Sequence, residues 1–254
     1  MIIVSDLHFH LSFPQLRERL TSIISYDEDR VVLLAGDVTH EASFEQYLLF
    51  MQWVQHLRGL GIKLVACPGN HDLTFGVAGI RFKRKLGADL WREVIGATDQ
   101  GHMLASNGLD AVYEIRTGSE EVDIFAAMQT AHMGLGGTAT VRKSQIKWLQ
   151  EVLPINEVAR YHLLTHHSLW RCHHAHMSGR ARLITDILIP FGFETSINGH
   201  NHIFKEGQRQ KKGWDAYHIQ TPALASRKAR NYSPSGVVQW RPGTRAKVLP
   251  VDGW

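Results

Sequence analysis

Three short apolar runs open the chain: Ile2-Ile3-Val4, Val31 to Ala35 and Ile62 to Ala66. Each reads as a buried strand and ends in small or polar residues. The stretches between them carry helix-start signatures. Ser12-Phe13-Pro14-Gln15 sets serine three residues before glutamine with an early proline, which predicts a helix to about Ile24. Ser43 and Gln46 repeat that spacing and predict a helix to about Leu60, with Gly59 and Gly61 at its end. Strand, helix, strand, helix, strand implies a parallel sheet with right-handed crossovers.

Further along, the basic amphipathic stretch from Gly79 to Gly96 reads as helical. Val112 to Arg116 and Val122 to Ala127 suggest an antiparallel pair turned at Gly118-Ser119, and Gly134 to Gly137 a flexible loop. Ser144 to Leu153 is a predicted helix with Ile146, Leu149 and Leu153 on one side. Tyr161 to Thr165 reads as a strand, about Ala181 to Phe191 as a helix, and Thr195 to Ile197 as another strand. Short strands are expected at Ala216 to Gln220 and Gly236 to Trp240. With no repeat or linker, a single domain over residues 1–254 is expected, its basic C-terminal strands starting near residue 203.

Polar residues collect where these apolar runs stop. Asp6 and His8 follow the first strand, Asp37 the second, Asn70 and His71 the third, His166 and His167 the fourth, and His200 and His202 the fifth. Functional groups of α/β sheets gather at the carboxyl ends of strands. Taken alone, Gly69-Asn70-His71-Asp72 is most often a polar turn with an incidental histidine. Five such fragments in order are another matter, because so many buried polar groups without an ion would go unsatisfied. Imidazoles suit Zn, Fe or Mn, and carboxylate and amide oxygens suit harder ions, so paired first-row metals fit the set. On an extended backbone, alternation would place Asp6 with His8, and His200 with His202, on one side.

Composition adds four points. Sixteen histidines in 254 residues raise the prior for metal chemistry. Two cysteines, Cys67 and Cys172, provide no disulfide framework and favour a reducing cytoplasm. No apolar run is long enough to span a bilayer, and Met1 to Asp6 lacks the features of a signal peptide. From His202 onward 10 basic residues face 3 acidic ones, which suits an anionic partner but more often marks a solvated surface.

In their order and types, the five strand-end motifs from Asp6 to His202 resemble those of the calcineurin-like metallophosphoesterase superfamily. Gly136-Gly137 followed by Ser144-Gln145-Ile146-Lys147-Trp148-Leu149 is similar to that family's helix before its fourth motif. The resemblance implies an α/β fold, a four-layer α-β-β-α sandwich of two mixed sheets. It implies two metal ions (Mn, Fe or Zn), one held by Asp6, His8 and His202, the other by Asn70, His166 and His200. Asp37 would bridge both, and His71 would face the leaving group as general acid. By family register His166 is the ligand and His167 its substrate-side neighbour.

In the protein serine/threonine phosphatases of the superfamily, the second motif runs Gly-Asp-x-x-Asp-Arg-Gly, where the later Asp orients the catalytic His and the Arg holds phosphate. Here Gly36-Asp37-Val38-Thr39-His40-Glu41 puts His40 in place of the orienting acid and Glu41 in the arginine's place. A phosphoprotein substrate is therefore disfavoured, and His71 would be oriented by Asp72 or by His40. His10, His40 and His167 are equally balanced between supporting and direct roles, and Cys172 is redundant as a nucleophile.

The expected activity is hydrolysis of a phosphodiester or phosphomonoester. Specificity is expected in the stretches Phe75 to Leu90 and His173 to Arg182. Two other readings compete: a nuclease, disfavoured because no aromatic–basic stripe is present, and a non-catalytic scaffold, disfavoured because His71 and every ligand position are kept.

Overall fold

The computed structural model describes residues 1–8, 14–77, 80–83, 85–117, 121–131, 134–135, 140–170, 182–224 and 236–251. Ser12, Phe13, His10, Gly79, the Gly118-Ser119 turn, Gly136-Gly137, Cys172, the histidines at 173, 174 and 176, and Ala181 lie outside them.

The first half of the chain forms β1 (Ile2–Val4), α1 (Pro14–Ser25), β2 (Val31–Ala35), α2 (Phe44–Gly59), β3 (Lys63–Cys67) and the single turn α3 (Asn70–Leu73). These are followed by β4 (Thr74–Val77), β5 (Ile80–Lys83) and α4 (Lys85–Thr98). Next come β6 (Met103–Ser106), β7 (Ala111–Thr117), β8 (Glu121–Met128), β9 (Gly134–Leu135), α5 (Lys143–Val152) and β10 (Ala159–Thr165). A π-helical turn, Ile184–Leu188, leads to β11 (Phe193–Asn198), β12 (Lys205–Lys211), β13 (Trp214–Gln220), β14 (Gly236–Gln239) and β15 (Lys247–Pro250).

The first sheet runs β15-β14-β1-β2-β3. Its parallel core aligns Ile3 with Leu33 and Leu33 with Val65, as the strand–helix alternation predicts. β14 returns antiparallel on the open side of β1, pairing Ile2 with Gln239. The second sheet runs β12-β13-β11-β10-β8-β7-β6, with four parallel strands flanked by antiparallel neighbours. Both sheets are therefore mixed. β2 and β3 lie against β10, and β3 also against β7 and β8, so the sheets stack face to face.

Helices close both outer faces. Leu20, Ile24, Phe50, Trp53, Leu57, Trp91 and Val94 join the larger core with β1 to β3. Trp53 is fully buried, and its indole N–H donates to the Thr21 hydroxyl at 3.1 Å, which meets the polar need of a large apolar ring. On the other side Ile146, Leu149 and Leu153 pack with Ile184, Ile187 and Leu188 against the second sheet. Trp148 is only partly buried there.

Several expectations need correction. The helix predicted over Gly79 to Gly96 starts only at Lys85, because Ile80-Arg81-Phe82-Lys83 alternates with period two and pairs with both β4 and β9. Between Phe75 and Leu90 the described residues accordingly belong to β4, β5 and the start of α4, and Gly134-Leu135, expected in a flexible loop, is a strand. The helix predicted to Phe191 contains a π turn, with the Ile189 N–H donating to the Ile184 carbonyl, before Pro190 removes the next donor. β6, β12 and β15 were not expected; all are short or polar edge strands, each paired antiparallel with the strand next to it in sequence, and their composition carries little apolar signal.

Candidate metal centre

All five polar strand ends converge at the carboxyl ends of β1, β2, β3, β10 and β11. The Asp6 N–H donates to the Gly36 carbonyl and the His8 N–H to the Asp37 carbonyl, both at 3.0 Å, which locks the first strand end onto the second. The backbone is not extended here. Asp6, His8, Asp37, His200 and His202 have φ of 53°, 43°, 52°, 69° and 56°. That corrects the alternation argument: each pair reaches one site through left-handed turns. The conformation costs non-glycine residues of the order of 1 kcal/mol each and persists only where the surroundings impose it.

The second and third strand ends are laced together. Asp72 is buried, and its carboxylate accepts from the Thr39 N–H at 2.8 Å, the Thr39 hydroxyl at 3.0 Å and the Gly69 N–H at 2.8 Å. The Asp37 carboxylate accepts from the His71 N–H at 2.7 Å. Gly69 is required because any Cβ there would overlap Asp37. Tyr47 donates its hydroxyl to the Asp72 carbonyl at 2.7 Å. Burial and the charge of Asp37 push the Asp72 carboxyl up to about 6.

These bonds answer what orients His71. Asp72 is occupied with Thr39 and Gly69, and the His71 Nδ1 meets the main-chain carbonyl of His40 at 2.5 Å. A carbonyl only accepts, so Nδ1 carries the hydrogen, and Nε2 is turned toward Asp37, 4.0 Å from Oδ2. His40 thus acts through its backbone, which is held by Gln46: that side chain accepts from the His40 and Glu41 N–H groups at 2.9 and 3.0 Å. Gln46 was expected to complete a capping box; Ser43 does accept from the Gln46 N–H, but the amide serves the His40 turn instead.

The second sheet supplies the remaining groups. His166 is fully buried; Nδ1 donates to the Ala35 carbonyl at 2.8 Å and Nε2 stands 3.1 Å from Asp37 Oδ2. His200 brings Nδ1 to 3.2 Å from His166 Nε2, and its N–H donates to Asp6 Oδ2 at 3.1 Å. His202 Nε2 is 3.0 Å from Asp6 Oδ1. His167 meets the Thr130 hydroxyl at 3.2 Å, with its ring 4.2 Å from that of His200. Gly199 lets the fifth strand end pass against the first, since a Cβ there would overlap the Ser5 hydroxyl and lie 2.7 Å from Asp6 Oδ2.

The family model for calcineurin-like phosphoesterase matches residues 1–204. The chain belongs to that family. No curated protein gives a significant match. Among solved structures, a dimetal phosphatase from Danio rerio aligns over 93% of this chain and 91% of its own, at 11% identity and a TM-score of 0.59. A purple acid phosphatase from yellow lupin (Lupinus luteus) seeds aligns over 93% of this chain and 48% of its own, at 12% identity and a TM-score of 0.56. An anchor protein of the inner membrane complex of Plasmodium aligns over 93% and 78%, at 9% identity and a TM-score of 0.53. At these identities the likeness shows the metallophosphoesterase fold, and phosphatases and an anchor share it.

A family that works with two metal ions needs donors that converge and are otherwise unsatisfied, and this chain has them. Ligating atoms of Asp6, His8 and His202 lie within 4.8 Å of one another, as do those of Asp6, Asp37 and His166, and those of His166, His167 and His200. Asn70 Oδ1 is buried with no hydrogen-bond partner among the described residues. Charge balance points the same way. Burial alone would raise Asp37, but the facing His166 holds its carboxyl well below the usual range. Burial would lower His166, yet Asp37 lifts it to about 9; burial and that same cation push His200 down to about 4. The carboxylates demand positive charge, which protons alone supply unevenly. Sequence reasoning missed Ser5, Thr39, Tyr47 and Thr130, which carry no motif and act only through the fold.

Proposed function

We propose that the chain hydrolyses a phosphodiester or phosphomonoester at a pair of metal ions. The observation that carries this is Asp37. Its carboxylate shares one cluster of donors with Asp6 and His166, Asp6 shares another with His8 and His202, and the Asn70 amide oxygen is buried with no hydrogen-bond partner among the described residues. Asp6, His8 and His202 would hold one ion, Asn70, His166 and His200 the other, with Asp37 shared. Mn, Fe or Zn all suit these donors. When bound, such a pair supplies Lewis acidity toward a water and the phosphoryl oxygens.

The chain's own residues do the rest. The His40 carbonyl fixes the hydrogen on His71 Nδ1, so a protonated ring presents Nε2–H on the Asp37 side. As the bond from phosphorus to the leaving oxygen breaks and that from the attacking water forms, Nε2 gives its proton to the leaving alkoxide. The Ala35 carbonyl holds His166 with Nε2 inward, the usual support for a ligating imidazole. Glu41 stands where a phosphate-holding arginine would, which favours a small ester over a phosphoprotein.

The test is a metal-reconstituted screen on bis-p-nitrophenyl phosphate and p-nitrophenyl phosphate with Mn and with Zn. Metal-dependent turnover is expected, and the preferred compound assigns diester or monoester. Inactivity on both, in protein that has taken up two ions, would overturn the proposal.

A further inference from the structure

His40 is where this chain departs most sharply from the phosphatase motif, and the fold sets it at the mouth of the centre. The residue is exposed. Its ring stacks on His71 with centroids 5.3 Å apart and planes 22° apart, and stands 5.5 Å from His8, itself 4.7 Å from His71. One nitrogen from each of these three rings lies within 4.8 Å of the other two. This trio contains no carboxylate, unlike the Asp6, His8 and His202 set.

We propose that His40 and His71 form a third, outer cation site that takes a zinc-class ion and thereby inhibits the centre. The inference rests on the proposed function, which makes His8 an inner ligand and His71 the proton donor. An all-imidazole donor set favours Zn, Cu, Ni or Co over Mg, Ca or Mn. Tetrahedral zinc, with bonds near 2.1 Å, places its donors about 3.4 Å apart. Closing from the present spacing falls to the His40 side chain, which is the exposed one. Its main chain stays fixed meanwhile, because Gln46 holds the His40 and Glu41 N–H groups and Asp72 holds Thr39.

With His8 committed inward, two imidazoles and water complete the outer ion. Fewer protein donors and no carboxylate make it the last site to fill. An ion on the His71 ring takes the lone pair that the proton would occupy, so the leaving oxygen goes unprotonated. His40 is then a sensor of excess zinc-class metal, and substrate turnover should rise as the inner pair fills and fall as the outer site does.

The experiment measures ions bound per full-length chain by equilibrium dialysis, from nanomolar to sub-millimolar free Zn, for the native protein and for His40→Gln. The substitution keeps the carbonyl that holds His71 and removes only the imidazole. Two tight ions and a weaker third are expected for the native chain. The variant should retain the first two and lose the third, and its turnover should no longer fall at high Zn. With Mn, two ions should bind and no third. A native chain that saturates at two Zn, or a variant that keeps the third with unchanged affinity, would overturn the inference and leave the dinuclear proposal standing. Failure to take up even two ions would overturn both.

Discussion

Gly199→Ala tests how tightly the two sheets are joined at the centre. The added Cβ would overlap the Ser5 hydroxyl, lie 2.7 Å from Asp6 Oδ2 and 2.9 Å from Ser5 Cβ. All of these belong to the end of β1, so the strand ends must separate by several tenths of an ångström or more. Overpacking of this kind costs about 1–3 kcal/mol. The separation also breaks the bond from the His200 N–H to Asp6 Oδ2, now 3.1 Å, worth about 1 kcal/mol. A total near 2–4 kcal/mol follows, a fall in Tm of roughly 5–12 °C for a domain of this size. Asp6, His200 and His202 move together, so metal affinity should drop as well. Urea unfolding without metal and zinc titration by calorimetry read the two effects separately. Removing the nearest obstacle supplies the decisive comparison: Ser5→Ala combined with Gly199→Ala should recover about 1 kcal/mol over Gly199→Ala alone. A single variant within about 0.5 kcal/mol of the native chain, or a double variant no more stable than the single, would refute the steric account.

Three further outcomes are expected. His71→Ala should retain two bound ions while losing most turnover on esters with poor leaving groups; unchanged activity on such an ester would remove His71 from the role of acid. Asp123 is buried at the far end of β8, bonded to Arg160 at 2.8 and 3.1 Å and to His162 at 2.9 Å. Asp123→Asn should cost about 2–3 kcal/mol in urea unfolding, discounted because Arg160 is partly exposed, and should leave turnover per folded molecule intact. His218 is buried, which, with Arg209 nearby, pushes its pKa down to about 3. An unfolded histidine binds a proton near 6.5. Stability from this group is therefore complete above about 6.5 and lost as pH falls toward 3, at up to about 1.4 kcal/mol per unit. His218→Gln should flatten the acid limb of the stability curve, and parallel curves for the two proteins would count against it.

The site was legible in sequence because its donors sit immediately behind apolar strands, and strand ends of a parallel sheet converge by topology alone. Asp6, Asp37, His166, His200 and His202 come together for that reason. What escaped was conformation and support. The left-handed φ of Asp6 or His202 depends on contacts made from the opposite sheet, which no local pattern encodes. The holding of His71 by a carbonyl is invisible in sequence because every residue carries one. β5 was hidden inside a helical pattern, since four residues of period two weigh little against a longer amphipathic run whose basic residues fit either period.

The pairing of β1 with β14 has a consequence for how the protein is made. β1 is central in its sheet, and Ile2 finds its partner at Gln239 only after all the intervening residues have been made. At ordinary elongation rates of about 5–20 residues per second, that edge waits on the order of 10–50 s. During that interval Ile2, Ile3 and Val4, paired with β2 on one side, leave their other edge open, the kind that recruits other chains. Contacts so distant in sequence also slow the final closure. Substitutions in the last strands, remote from any metal donor, should therefore show themselves first as aggregation during synthesis, and as lost activity only through the material that fails to mature.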